Sequence, residues 1–190
     1  MNKLEKFLLT TGIVISSLIP LKSNAQNQDI KNTNEKGHAH LALSLSEFND
    51  DVAKDNTGVL AGVQLGYSKE LFNEVSGRIS MSYSFANNKK RDFKAYMFDI
   101  GPQIEWHPTI NGEKPIYFGG GFKYRNVNAT HKETGNEESL SGLGLAINFG
   151  WEEELKGTNN YFYLETEYDQ VKSEEDEKIG FFKINAGIKF

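Results

Sequence analysis

The carboxyl-terminal segment alternates strictly between apolar and polar positions. The apolar positions are Phe182, Ile184, Ala186, Ile188 and Phe190, and each residue between them is polar or glycine. Successive side chains of a β-strand point to opposite faces, so this spacing predicts a strand with one apolar face and one polar face. Such a strand has to place its apolar face against a core or against lipid.

The same alternation recurs through most of the chain. It predicts eight strands, whose apolar positions fall within residues 39–45, 59–67, 79–85, 96–106, 116–124, 143–151, 162–168 and 182–190. The segments between them carry the Gly, Asn, Asp and Pro residues that are typical of turns. The pattern indicates an all-β, eight-stranded antiparallel up-and-down β-barrel over residues 38–190, with strands long enough to cross a membrane.

The composition of the two faces predicts which of them is inside. The polar face carries small residues such as Gly62, Gly66 and Ser80 together with charges, whereas the other face carries Phe, Tyr, Trp, Leu and Ile. The interior of an eight-stranded barrel is just wide enough for side chains to fill. We therefore expect the large apolar residues outside, in lipid. A soluble barrel such as a lipocalin would have the two faces exchanged.

Aromatic residues collect at the predicted strand ends, where a membrane barrel has its interfacial girdles. With both termini on the periplasmic side, the periplasmic girdle is predicted at Tyr67, Trp106, Trp151 and Phe190. The outer girdle is predicted at Phe48, Phe85, Tyr124 and Tyr168.

The amino-terminal segment has the features of a secretory signal peptide. Lys3 and Lys6 precede a mostly apolar stretch, and Ser23-Asn24-Ala25 supplies small residues for cleavage after Ala25. We expect residues 1–25 to be removed and the polar residues 26–37 to form a disordered periplasmic lead-in. The chain has no cysteine, which excludes disulfides and thiolate chemistry.

Charged residues on the predicted inner face form the main candidate site. Asp99 and Lys123 belong to one predicted hairpin, and Glu165 and Lys183 to another. Further charges, Arg78, Glu105 and Lys189, fall toward the periplasmic end, and two more, Arg125 and Glu167, toward the outer end. We expect a network of ion pairs that plugs the lumen, because an unpaired buried charge is costly. A pore lining or a proton path is the alternative.

Other chemistry has little support in the sequence. His38 and His40 could offer two metal ligands, but a site needs three or four, so no metal and no cofactor is predicted. His131 with Ser139 and Ser141 is the nearest approach to a catalytic set, and we expect no enzyme activity. The formal net charge of −5 argues against nucleic acid as a partner.

With its strand number, alternation, two aromatic girdles and terminal Phe190, the chain resembles the small eight-stranded outer-membrane barrels, the OmpA/OmpX-like class of Gram-negative bacteria. The resemblance covers residues 37–190. It implies that the barrel-assembly machinery reads a signal in the last strand, formed here by Phe182, Ile184, Ile188 and Phe190. It transfers no catalytic residue.

From these features we expect an outer-membrane protein with a structural and surface-interaction role. Its partners would be membrane lipid, lipopolysaccharide and a possible surface ligand, contacted through outer loops such as residues 126–139. The acidic residues 173–177 are a candidate for divalent-mediated contact with lipopolysaccharide. A narrow porin-like channel for small solutes is the alternative function.

Overall fold

A computed structural model describes residues 37–49, 57–88, 92–132, 134–172 and 178–190. The predicted signal peptide lies outside the described residues, as does all of the predicted lead-in except Gly37, which opens the first strand. No helix among the described residues is long and apolar enough to cross a bilayer.

The described residues form a closed barrel of eight antiparallel strands, each hydrogen-bonded to its sequence neighbours, with the last strand paired to the first. The prediction of an all-β, eight-stranded antiparallel up-and-down barrel is confirmed. The strands are β1 (Gly37–Phe48), β2 (Leu60–Phe72), β3 (Val75–Asn88), β4 (Phe93–Trp106), β5 (Ile116–His131), β6 (Glu137–Glu154), β7 (Tyr161–Lys172) and β8 (Lys178–Lys189).

The strands are tilted and staggered around the barrel. A ladder of paired residues that starts at His38 in β1 passes through every strand and returns to β1 at Phe48, close to the other end of the strand. Closing a sheet with such a stagger requires strands inclined to the barrel axis. Inclined strands bring side chains together across the lumen that are far apart in the sequence and on non-adjacent strands.

The two faces of the barrel differ in chemistry along every strand. Large apolar side chains point outward and are exposed, as in β6, where Leu143, Leu145 and Ile147 are 62%, 63% and 62% exposed. Inward positions are buried and mostly polar, and Asp99 and Lys123 are 0% and 1% exposed. Large apolar residues therefore face out and charges face in.

Several strands run further than the alternation predicts. Residues 126–139 were expected to be an outer loop, but β5 continues to His131 and β6 begins at Glu137, with Asn126 paired to Ser141 and Thr130 to Glu137. Backbone pairing needs no apolar face, so a hairpin can continue through polar residues wherever the side chains lie in water. Because this segment is polar, apolar alternation does not reveal its strands.

Candidate functional site in the charged lumen

Charged side chains form a column of ion pairs along the lumen, and Arg78 of β3 begins it toward the end that holds the chain termini. Its Nη1 lies 2.6 Å from Oε2 of Glu165 and 2.7 Å from Oε1 of Glu105. Tyr117 donates a hydrogen bond of 3.0 Å to Glu165, and Asn148 donates one of 2.9 Å. All of these side chains are buried, so each charge depends on protein groups for its solvation.

Two lysines fill the middle of the column. Lys123 Nζ lies 2.6 Å from Glu167 Oε2 and 3.5 Å from Asp99 Oδ1. Lys183 Nζ lies 2.5 Å from Asp99 Oδ2 and 3.8 Å from Glu167 Oε1. The two cations and two carboxylates alternate around a closed ring, in which every charge has two partners of opposite sign. Gln103 joins this ring to Arg78, accepting from the guanidinium and donating 3.1 Å to Glu167.

The column ends at Arg125, toward the outer end of the barrel. Its guanidinium holds both carboxylate oxygens of Asp169, at 2.5 and 2.6 Å, and lies 3.3 Å from Asp99 Oδ2. The same group stacks over the ring of Phe181 with 4.1 Å between Cζ and the ring centroid. Arg125 therefore connects the ion pairs to the apolar residues above them.

Asp99, Lys123, Glu165, Lys183, Arg78 and Glu105 all lie in this column, but some of the expected pairings are wrong. Glu165 does not pair with Lys183 of its own hairpin; it pairs with Arg78, which comes from the opposite side of the barrel. Glu167, which was placed together with Arg125 toward the outer end, pairs with Lys123 at 2.6 Å. The stagger of the strands decides these partners, and hairpin adjacency does not reveal it.

Apolar residues close the lumen above the column, at the ends of the strands farthest from the termini. This group, which we call the apolar cap, is 0–7% exposed and consists of Phe48, Leu60, Ala86, Ala95, Met97, Val127, Val171 and Phe181. The outer-girdle assignment of Phe48 is wrong, because its ring points inward and lies 4.9 Å from that of Phe181. Successive residues of a strand face opposite sides, so Phe48, three positions after the outward Leu45, falls on the inward face.

The other predicted girdle residues point outward. Exposure ranges from 37% to 53% for Tyr67, Trp106 and Trp151 near one end and for Phe85, Tyr124 and Tyr168 near the other. Two further tyrosines, Tyr117 and Tyr163, are fully buried in the lumen. They occupy inward positions in the alternation, so their strand parity was the signal that could have identified them.

The residues of the predicted assembly signal lie together on the outer surface of β8. Phe182, Ile184, Ile188 and Phe190 are 39–43% exposed. Phe190 exchanges backbone hydrogen bonds with Ala39, which joins the carboxyl terminus to β1. Recognition of this surface by the assembly machinery stays a prediction.

A histidine closes the lumen at the end that holds the chain termini. His107 follows β4 and stacks on Tyr117, with 5.2 Å between the ring centroids. Its Nε2 lies 3.0 Å from Ser76 Oγ and 3.5 Å from Glu105 Oε2, and its Nδ1 lies 3.5 Å from Glu152 Oε1. Burial lowers the pKa of His107, but the hydrogen bonds that its imidazole donates to the carboxylates of Glu105 and Glu152 outweigh this effect and raise the pKa overall.

The remaining histidines have structural contacts. His40 Nε2 lies 2.7 Å from Ser68 Oγ, and His38 packs edge-on against Tyr161. His131 packs edge-on against Phe93, while Ser139 is paired with Asn128 in the hairpin. The described residues contain no group of three or more His, Cys, Asp or Glu that could hold a metal ion.

The fold is shared with small outer-membrane barrels. The structure of Neisserial surface protein A matches with a TM-score of 0.61 at 9% identity, covering 80% of this chain and 95% of that one. Ail, the attachment invasion locus protein of Yersinia pestis, matches with a TM-score of 0.53 at 17% identity, covering 83% and 100%. The N-terminal β-barrel domain of Pseudomonas aeruginosa OprF gives 0.50 at 14% identity, covering 82% and 100%. Neither the protein-family models nor the curated proteins gave a match.

The column predicts a large cost for removing one of its cations. Lys123→Met leaves Glu167 and Asp99 buried with less compensation, so the free energy of unfolding should fall by about 3–5 kcal/mol. Lys123→Met/Glu167→Leu removes both charges and should recover part of that loss. Urea titration of the refolded protein in detergent, followed by tryptophan fluorescence, measures both.

The exposed pair of Lys114 and Glu70, 3.5 Å apart, supplies the control. Lys114→Met should change stability by at most about 1 kcal/mol. If Lys123→Met costs no more than Lys114→Met, the column does not contribute to stability as described.

The raised pKa of His107 predicts a defined pH dependence. A group whose pKa is higher in the folded state stabilises the fold fully below its unfolded pKa, about 6.5 for histidine. That contribution disappears as the pH rises through the folded pKa. The stability advantage of wild type over His107→Gln should therefore be largest below about pH 6.5 and decline at alkaline pH. Unfolding titrations of both proteins across this range measure the difference, and a constant difference would contradict the assignment.

Proposed function

We propose that this chain is an integral outer-membrane barrel with a structural and surface-interaction role and a lumen closed to solutes. One observation carries the proposal: an exposed apolar surface surrounds the whole barrel while the charges are enclosed within it. The arrangement is the reverse of a water-soluble barrel, and it suits a protein with lipid outside.

The extent of the apolar surface supports insertion into a bilayer. Each of the eight strands contributes exposed large apolar side chains, from Leu43 at 72% in β1 to Ile188 at 42% in β8. Soluble monomers rarely expose contiguous apolar patches beyond a few hundred Å². A closed sheet also pairs its backbone groups internally, which a segment in lipid must do.

The structural neighbours support a role at the cell surface. They include a Neisserial surface protein and the attachment invasion locus protein of Yersinia pestis, the latter also solved in complex with the heparin analogue sucrose octasulfate. We infer that lipid and lipopolysaccharide surround the barrel, that the assembly machinery inserts it, and that a surface ligand contacts its outer end.

The hairpin of β5 and β6 is the part of the outer end best suited to such contacts. Both strands continue past the outer girdle position Tyr124, to His131 and from Glu137. On its other side, β6 pairs with β7 only from Gly144 onward among the described residues. Along its β6 edge the hairpin therefore extends beyond the described pairing with β7 and presents backbone and side chains to the exterior. Its exposed acidic residues, Glu137 and Glu138, favour a basic or cation-bridged partner over a sulfated one.

A narrow channel is the alternative function, and the column argues against it. Side chains that fill an eight-stranded lumen and hold one another at 2.5–2.7 Å leave little space for a solute. Movement of a solute would require several ion pairs to separate at once.

Insertion predicts that a charge on the outward face is tolerated only outside the apolar belt. Ile147→Arg, near the middle of β6, should lower the free energy of unfolding in lipid vesicles by about 2–4 kcal/mol. Glu153→Arg is the matched control, because it lies on the same face of the same strand beyond the girdle residue Trp151. It should cost at most about 1 kcal/mol. Equal effects of the two substitutions would argue against a bilayer around the barrel.

The orientation can be tested with epitope insertions in a Gram-negative host. An epitope between Thr134 and Gly135, in the hairpin connection, should be detected by antibody on intact cells. The same epitope between Asn111 and Gly112, in a turn at the other end, should be detected only after the outer membrane is permeabilised. Detection of the second epitope alone on intact cells would reverse the orientation, and detection of neither after permeabilisation would contradict outer-membrane insertion.

A further inference from the structure

Charges of opposite sign are almost balanced inside the barrel. Among the described residues, six carboxylates are enclosed in the lumen: Asp99, Glu105, Glu152, Glu165, Glu167 and Asp169. Five lysine and arginine side chains are enclosed with them: Arg78, Lys123, Arg125, Lys183 and Lys189. One further positive charge would make the lumen neutral, and an uncompensated charge in such surroundings is costly.

The imbalance lies at the end that holds the chain termini, which we call the terminal end. The middle and outer parts of the column are balanced, because Asp99, Glu167 and Asp169 meet Lys123, Lys183 and Arg125. At the terminal end the carboxylates are Glu105, Glu152 and Glu165, and their lysine and arginine partners are Arg78 and Lys189. This end therefore needs one more cation.

His107 lies at the place where that charge is missing. Its Nε2 is 3.5 Å from Glu105 Oε2, and its Nδ1 is 3.5 Å from Glu152 Oε1, so each ring nitrogen faces a carboxylate. A neutral imidazole has a single N–H and can donate to one of the two, whereas an imidazolium can donate to both. A proton on His107 thus supplies the missing charge and the second donor together.

The contacts of this imidazole also join neighbouring strands across the terminal end. Glu105 belongs to β4 and Glu152 to β6. Ser76 of β3 lies 3.0 Å from Nε2, and the ring of Tyr117 in β5 stacks on the imidazole. One side chain therefore contacts four successive strands, and it is 11% exposed, at the boundary between the lumen and the solvent.

The cations at this end are already shared among carboxylates. Lys189 of β8 contacts Glu152 and lies 4.9 Å from the ring centroid of Tyr117, and Arg78 contacts both Glu105 and Glu165. The other titratable groups of the surrounding strands have partners elsewhere: Glu70 of β2 with Lys114, Glu165 of β7 with Arg78, and His40 of β1 with Ser68. Loss of the proton from His107 would therefore leave this end with an excess of negative charge.

We propose that His107 is a proton-controlled clasp that closes the terminal end of the lumen. With its proton, the imidazolium joins Glu105 of β4 to Glu152 of β6 and excludes water. When the proton leaves to solvent, the carboxylates lose this bridge, the strand ends separate and water enters. The clasp requires neither a bilayer nor a surface ligand, so it stands apart from the proposed function.

The direction of the response follows from the raised pKa of His107. The proton stays on the folded protein at pH values below the usual histidine pKa of about 6.5. It is lost as the pH rises through the higher pKa of the folded state. The terminal end should therefore be closed in acid and open in alkali.

The test is the reactivity of a thiol placed behind the clasp. The chain has no cysteine, so each introduced thiol is a unique probe. Ser68→Cys puts a thiol on the inward side of β2 at a residue that is 5% exposed, and Lys156→Cys puts a reference thiol in an exposed turn at the same end. The full chain is refolded in detergent and shown to be folded by heat-modifiable migration in gels. The ratio of the two rates of labelling by a small methanethiosulfonate reagent then measures opening.

Two substitutions fix the charge at position 107. His107→Gln is always neutral and His107→Lys carries a positive charge across the range. At about pH 5.5 the labelling ratio should be low in wild type and in His107→Lys. It should be about tenfold or more higher in His107→Gln, because opening then breaks no charge-assisted hydrogen bond at this residue. At about pH 9 wild type should match His107→Gln while His107→Lys stays low. Comparison of the three proteins at one pH removes the ionisation of the thiol itself from the result.

Equal ratios in wild type and His107→Gln at the acid pH would overturn the clasp. A wild type that stays as low as His107→Lys at the alkaline pH would overturn it too, as would a pH response that persists unchanged in His107→Gln. If Ser68→Cys does not fold, Ser80→Cys, inward in β3 and 2% exposed, takes its place as the probe. Each of these results leaves the proposed function intact.

Discussion

Hydrogen bonding between the first and the last strand is the constraint on which the rest of this structure depends. Pairing β1 with β8 removes the two sheet edges and leaves every strand with a partner on both sides. The stagger of that closure carries the ladder from His38 to Phe48. It sets the tilt of the strands, and the tilt decides which inward side chains meet. A shift of this register would exchange the partners of every charge in the lumen.

The charges of the lumen specify the fold as much as they stabilise it. A buried ion pair often contributes little net free energy, since desolvation offsets its attraction. A one-residue slip of a strand, however, would turn its whole inward set outward. For β8 this slip would move Lys183 and Lys189 into the apolar belt and bring Ile184 and Ile188 into the lumen. In a barrel inserted as we propose, the cost of a charge in lipid would penalise wrong registers, which would give the column a role in selecting the native one.

The sequence predicts the faces of this barrel well and the contacts within it poorly. Alternation with a period of two identifies the outward Leu143, Leu145 and Ile147, because each outward position of the strand carries a large apolar side chain. It cannot reveal that Arg78 meets Glu165, since that contact depends on the stagger accumulated over several strands. Nor does it reveal the hairpin of residues 126–139, where neither face is apolar and the period disappears.

The sequence does contain a signal for the apolar cap, in the way the inward residues change along each strand. The inward residues of β1, taken alone, are His40, Ala42, Ser44, Ser46 and Phe48, so polarity gives way to an aromatic at the outer end. Those of β8 begin with Ile179 and Phe181, followed by Lys183 and Asn185. The inward residues of both strands become apolar at the same end of the barrel, which indicates a lumen with a polar layer and an apolar layer.

The two ends of the lumen differ in their access to water. At the end that holds the chain termini Glu105 is fully buried, but the side chains of His107 and Glu152 are 11% and 13% exposed, so the imidazole can exchange its proton with solvent. At the outer end Phe181 lies against Arg125 and keeps water from the Arg125–Asp169 pair. Attraction between charges increases as the surrounding dielectric falls. The cap therefore strengthens the last ion pair beneath it while that pair holds Phe181 in place, so the seal and the end of the column stabilise each other.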